Sequence, residues 1–177
     1  MKIKNLKFIL GTFGLSLFAL LIICFCVLIR FEYHEVDILN KSPVLPYANY
    51  EYMVTEDTVY EIDDKKQVVP AFFRTDFASI PQALWFWSAP YKSDLVYASI
   101  WHDYMYSCPN AMSRKEIDDI FLSLLTHEKA STFNSIQMYL AVRIFGDSHF
   151  YSDGICDELI VKEMAEDEDY FDEVDND

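Results

Sequence analysis

One segment of the sequence combines acid–base side chains with an otherwise apolar helical pattern. Residues 93–108 read SDLVYASIWHDYMYSC. At about 100° per residue, their apolar side chains cover almost the whole circumference of a helix, as they do in a buried helix. The remaining stripe holds Ser99, His102, Asp103 and Tyr106. Burying a carboxylate and an imidazole is costly unless they are paired or bind an ion, so the stripe is predicted to have a partner.

The partner is predicted on the helix that follows. Ser113 and Glu116 have the spacing of a capping box, so a second helix should begin there. In that helix Asp118 lies close to the apolar face, whereas Asp119 is predicted to point to solvent. Because a short loop makes consecutive helices antiparallel neighbours, we expect Asp118 to reach His102.

This pairing would suit hydrolysis with water as the nucleophile. Asp118 would orient one ring nitrogen of His102 and leave the other as a general base, while Tyr106 would hold Asp118 through its hydroxyl. Asp103 diverges from its neighbour His102 on a helix and is available for a cation, and Asp76 could complete a calcium site with backbone carbonyls. The alternative is a satisfied polar network that has no catalytic role.

Around these residues the sequence predicts an α+β domain at residues 50–156, with a short antiparallel β-meander packed against a three-helix unit. Residues that favour strands cluster at 50–54, 58–62 and 67–73. Residues 31–49, which contain two prolines, are predicted to be an extended linker.

The three helices have predicted ends. Ser93 is the expected N-cap of the first helix, and the second should run to about residue 128. The third is expected at about residues 133–145, with Gly146 as its C-cap.

A charge-free run of 22 residues, positions 8–29, is long enough to cross a bilayer core as a helix. Three lysines precede it, and acidic residues follow Arg30 closely. The positive-inside rule therefore predicts a cytoplasmic N-terminus and a C-terminal domain on the periplasmic or extracellular side. No small-x-small cleavage site follows the run, which favours an uncleaved signal anchor at residues 1–30.

The formal net charge of −15 is concentrated near the C-terminal end. Residues 157–177 contain eleven acidic residues and one lysine, which predicts a solvated, disordered tail. The sequence has no basic patch for nucleic acid, so the expected partners are membrane lipid and an envelope protein. Cys108 and Cys156 lie in the part predicted to be exported; an oxidising compartment would allow them to pair, and two free thiols are the alternative.

The same motifs resemble a known family. The stretches VVPAFFRTDFASIP, HDYMY, SRKEIDDIF and YLAVRIFG are similar to the pattern of the domain-of-unknown-function family 1353, which occurs in bacteria and tailed phages. The resemblance covers about residues 50–146, and Phe72 stands where the pattern has glycine. It implies no established activity.

A second, local resemblance implies chemistry. HDYMY followed by IDDIF is similar to the active-site helix pair of the secreted phospholipase A2 superfamily. That resemblance implies that His102 is the base, that Asp103 binds calcium and that Asp118 orients the histidine. The glycine-rich calcium loop of that superfamily is missing, so residues 74–81 would have to replace it. The two interpretations are therefore an anchored hydrolase of envelope lipids or esters and a non-catalytic envelope or phage-encoded interaction module.

Overall fold

The computed structural model describes residues 16, 18–23, 25–26, 30–48, 51–77, 95–108 and 110–150. The chain divides into two compact units, Met1–Glu32 and Tyr33–Asp177. The described residues before position 27 are helical and exposed. Across the described ranges, no helix combines the length and the apolar character needed to cross a membrane. Most of the predicted span and the whole acidic tail lie outside these ranges.

The second unit is α+β, with two three-stranded antiparallel sheets and three helices in its described part. The sheets have the strand orders β1-β4-β5 and β2-β3-β6. The strands are β1 (Val36–Asn40), β2 (Val44–Ala48), β3 (Glu51–Val54), β4 (Thr58–Ile62), β5 (Lys65–Val69) and β6 (Arg74–Thr75).

The predicted single β-meander is wrong, because its three strands are divided between the two sheets. β4 and β5 do form a hairpin, closed by Asp63 and Asp64, whose positive φ angles suit a two-residue turn. β3, however, pairs with β2 and β6. The segment 31–49, which we expected to be a linker, contains β1 and β2, and these strands occupy the positions beside β4 and β3. Pro46 is compatible with β2 because β2 is an edge strand.

The helices are α1 (Val96–Ser107), α2 (Arg114–His127) and α3 (Thr132–Phe145), followed by a 3-10 turn at Gly146–Ser148. The predicted cap of α2 is confirmed, since the Ser113 side chain accepts a hydrogen bond from the Glu116 amide. The predicted cap of α1 is wrong. Leu95 occupies the N-cap position without a side-chain cap, and Ser93 lies outside the described residues. Leu95 is fully buried, so packing fixes the start of this helix.

Two buried aromatic residues fix α1 against the first sheet. Trp101 of α1 donates from its indole nitrogen to Gln67 of β5 at 3.0 Å. Tyr60 of β4 donates from its hydroxyl to the Tyr97 carbonyl at 2.8 Å. Both aromatic side chains are fully buried, and each polar tip has a partner, as buried tyrosine and tryptophan require. The helix that carries the candidate site is thereby held in one orientation.

The residues that flank β1 contact the C-terminal half of α2 and its C-cap. The His34 amide, just before β1, donates to Ser123 Oγ at 3.2 Å. Lys41, just after β1, donates to the Glu128 carboxylate at 2.8 Å. β1 is therefore held beside the C-terminal half of α2.

Candidate functional site

The structure brings together the three residues to which the sequence analysis gave a catalytic role. His102 Nε2 lies 2.9 Å from Asp118 Oδ1, and the Tyr106 hydroxyl donates to the same oxygen at 2.6 Å. The helix phase of α2 predicted the contact with Asp118. Both the His102 and the Asp118 side chains are 0% exposed. Their catalytic role stays a prediction.

Two arginines, which the sequence analysis did not assign to the site, complete the surroundings of Asp118. Arg143 of α3 donates to Asp118 Oδ2 at 2.8 Å, and Arg114 Nη1 lies 3.8 Å from the same oxygen. Burial raises the pKa of Asp118, but hydrogen bonds from His102 and other donors outweigh burial and hold this pKa below its ordinary value. Asp118 is therefore a buried anion that joins α1, α2 and α3.

Arg143 escaped prediction because a basic residue in the last turn of a helix already suits the helix dipole and requires no other partner. The signal that could have found it is the buried carboxylate itself. A tyrosine hydroxyl does not neutralise a fully buried anion, so cationic side chains are expected nearby.

The ring of His102 lies between two other aromatic rings. Its centroid is 4.1 Å from that of Tyr106 and 4.5 Å from that of Phe121. Burial, and after it the charge of Asp118, raises the pKa of Tyr106 well above its ordinary value, so the hydroxyl stays protonated and donates. A Cβ at Gly146 would lie 2.8 Å from that hydroxyl oxygen. Gly146 thus gives Tyr106 the space to reach Asp118.

The prediction that Asp119 points to solvent is wrong. Its side chain is buried, accepts a hydrogen bond from the Tyr139 hydroxyl at 2.6 Å and pairs with Lys115 one turn earlier. The single apolar face assumed from the sequence is too narrow, because every residue from Ile117 to Leu125 is buried. α2 packs against α1 on one side and α3 on the other.

The two predicted calcium ligands have different surroundings. Thr75 donates from its hydroxyl to Asp103 Oδ2 and accepts from the Phe77 amide at 3.0 Å, so Asp103 fixes the end of β6. Asp76 is exposed. The described part of the chain contains no group of three or more His, Cys, Asp and Glu residues suited to a metal ion. Calcium binding stays a prediction.

The fourth residue of the stripe, Ser99, lies one turn before His102. Its side chain is buried, and its hydroxyl has no hydrogen-bond partner among the described residues. A buried polar group without a protein partner is typical of a site where an ordered water binds.

Cys108, at the end of α1, is disulfide-bonded. The other cysteine in the described ranges, Cys26, is free, so the partner of Cys108 lies outside those ranges. Pairing with Cys156 stays a prediction.

Comparison with known proteins gives one match. Residues 52–142 match the sequence profile of a family described as "Protein of unknown function (DUF1353)". No curated protein and no solved structure matches the chain. The matched stretch runs from β3 into α3 and includes His102, Tyr106 and Asp118.

Proposed function

This chain belongs to the DUF1353 family of proteins of unknown function, and we propose that it is a single-pass membrane protein whose C-terminal domain acts outside the cytoplasm as a non-catalytic interaction module. In this proposal the network around Asp118 is structural. The observation that carries it is the complete burial of His102 and Asp118, with both oxygens of Asp118 engaged.

A structural role is supported by how the buried charge is satisfied. Asp118 accepts from His102 and Tyr106 of α1 and from Arg143 of α3, so one carboxylate connects three helices. A general base must come within hydrogen-bond reach of the proton that it abstracts. The imidazole is 0% exposed and packed between two rings, which supports a role in holding the helices together.

The membrane anchor is supported by the sequence and by exposure in the first unit. The apolar side chains of this unit that are described include Phe18 at 64% exposure, Leu20 at 62% and Phe25 at 65%. A charge-free helix that exposes its apolar side chains on several faces is suited to lipid. The disulfide at Cys108 agrees with an oxidising compartment, which supports the predicted export of the domain.

Fusions of two compartment-specific reporters after Asp177 test this topology. A reporter that is active only outside the cytoplasm should give the signal, and a cytoplasm-specific reporter should be silent. The matched control replaces Lys2, Lys4 and Lys7 with glutamate, which should weaken or invert the orientation. Activity of the cytoplasmic reporter alone on the natural chain would contradict the proposal.

Hydrolysis of envelope lipids or esters is the second candidate function. It is favoured by the buried Ser99 hydroxyl, which could hold a water one turn from His102. In that case Asp118 would orient the imidazole of His102, and His102 would act as the base towards the water. Calcium at Asp103 and Asp76 would be the expected cofactor.

The substitution His102→Gln separates the two functions. If His102 is a base, turnover of a lipid or ester substrate should fall by about 10²–10⁴-fold while the midpoint of thermal unfolding is nearly unchanged. If the network is structural, the natural chain should be inactive on every substrate, with or without calcium. His102→Gln should then lose roughly 3–5 kcal/mol of stability. His127→Gln is the matched control, because this histidine of α2 is 37% exposed.

A further inference from the structure

The outward face of α3 is apolar along its whole length. The inward face of this helix holds buried residues such as Tyr139 and Val142 and packs against α2. On the opposite face, four apolar side chains fall within a sector of about 80°. They are Phe133, Ile136, Leu140 and Ile144. We refer to these four residues as the α3 stripe.

The α3 stripe is accessible at both of its ends. Phe133 is 70% exposed and Ile144 is 51% exposed, and the two residues between them are half-buried. The stripe spans about 17 Å of helix, and Gln137, the polar residue beside its centre, is uncharged. Single exposed apolar residues are ordinary, but a continuous row of them is typical of a binding surface.

The charges around the stripe favour a second copy of the chain as its partner. Residues 130–146 contain neither Asp nor Glu, although the chain has a formal net charge of −15. Copies of an acidic chain repel each other, so a contact between copies is least unfavourable where acidic side chains are missing.

The two ends of the stripe carry opposite charges. Lys129 precedes Phe133 by four residues, and Asp147 follows Ile144 by three. Lys129 is exposed, and the Asp147 side chain is 90% exposed. In an antiparallel pair of α3 helices related by a two-fold axis, Phe133 of one copy meets Ile144 of the other. The same arrangement brings Lys129 of each copy towards Asp147 of the other.

We propose that two copies of this chain associate through their α3 stripes as an antiparallel, two-fold symmetric dimer. This proposal rests on the proposed interaction module and names a second copy as its partner. One helix face is smaller than the interface of most stable complexes, so the dimer is weak. Copies that are anchored in one membrane are concentrated, and a weak contact is then sufficient.

Photo-crosslinking in cells that express two differently tagged copies tests the contact. The photoreactive residue p-benzoylphenylalanine replaces Phe133 in one sample and Tyr47 in the other, and the tags follow Asp177. Tyr47 is the matched control, because it is an aromatic residue of β2 and is 50% exposed. After irradiation and denaturation under reducing conditions, the covalent product that carries both tags should be several-fold more abundant for position 133. Mass spectrometry should locate the attachment on the other copy at or beside Ile144.

Exchange of the two end charges tests the antiparallel arrangement. Lys129→Glu and Asp147→Lys each place like charges together at both ends of the dimer, so each should lower the yield from position 133 several-fold. The double variant exchanges the charges and should restore most of that yield. Both positions are exposed, and urea midpoints of the three variants establish that the domain still folds.

The result that would overturn the dimer can be separated from failure of the proposed function. Equal yields at positions 133 and 47, attachment of position 133 to lipid or within its own copy, or no recovery in the double variant would each overturn the dimer. Fractionation of the same cells tests the anchor. A membrane-bound chain without the two-tag product leaves the anchor standing and overturns the dimer. A two-tag product from a chain outside the membrane fraction supports the dimer and contradicts the anchor.

Discussion

Two adjacent aspartates in α2 are both fully buried, but they contact different sets of helices. Asp118 joins α1 and α3, with donors from His102, Tyr106 and Arg143. Asp119 accepts from one residue of α3, Tyr139, and pairs with a lysine of its own helix. From this comparison we expect a buried charge to contribute more to stability when it joins more helices, so that burial alone does not set its contribution.

The largest difference is expected between alanine substitutions at the two positions. Asp118→Ala should cost roughly 3–5 kcal/mol of stability, because it leaves the arginine, histidine and tyrosine around it without their acceptor. Urea unfolding of the full chain in detergent measures this cost. A cost of about 1 kcal/mol or less would contradict the view that Asp118 holds three helices together.

Asp119→Ala should cost less, about 1–3 kcal/mol, which is typical of losing a buried hydrogen-bond acceptor. The side chain of its cationic partner, Lys115, is 38% exposed and can be rehydrated after the change. The same urea experiment measures the loss of stability in Asp119→Ala. An effect equal to that of Asp118→Ala would remove the distinction between the two aspartates.

Gly146→Ala should lower stability through the contacts of Asp118 and leave those of Asp119 unchanged. The new Cβ would crowd the Tyr106 hydroxyl, and overpacking of this kind costs about 1–3 kcal/mol. In a Tyr106→Phe background the hydroxyl is missing, so the penalty should shrink. In a Tyr139→Phe background it should keep its full size. Double-mutant cycles from unfolding data measure both couplings, and equal penalties in the two backgrounds would contradict the assignment.

The smallest expected effect is a loss of stability at low pH. Hydrogen bonds hold the pKa of Asp118 below its ordinary value of about 3.9, so its contribution to stability is complete above that value. The contribution is lost as the pH falls through the lower pKa of the folded state. Below about pH 4 the natural chain should therefore lose stability more steeply than Asp118→Asn. Urea midpoints measured from pH 7 to pH 3 provide the check, and parallel curves would be the contrary result.

The sequence predicted the parts of the site that depend on two consecutive helices. The His102–Asp118 contact follows from helix phase and a short loop, and both are local properties. The burial of Asp119 and the place of Arg143 depend on how α3 packs against α2, which the phase of a single helix does not contain.

The sheets were predicted less well for the same reason. β3 and β4 were predicted and β5 was predicted in part, but β6 was not. The pairing also depended on β1 and β2, which lie in a segment whose two prolines are typical of a linker. At Phe72, in contrast, the structure explains a feature of the sequence pattern. Its φ of 65° lies in the left-handed region, where glycine has no Cβ penalty, and this explains the glycine in the family pattern that the sequence resembles.

The contacts between β1 and α2 also determine how early in synthesis β1 can fold. The contact of His34 with Ser123 joins residues 89 positions apart, and that of Lys41 with Glu128 joins residues 87 apart. At a synthesis rate of about 5–20 residues per second, roughly 4–18 s pass between the synthesis of β1 and that of its contacts in α2. If the domain is exported, β1 emerges first and stays uncovered on the far side of the membrane until α2 has crossed. Folding of this protein is then limited by delivery of the chain, and its N-terminal strands are the segment that an envelope chaperone has most time to bind.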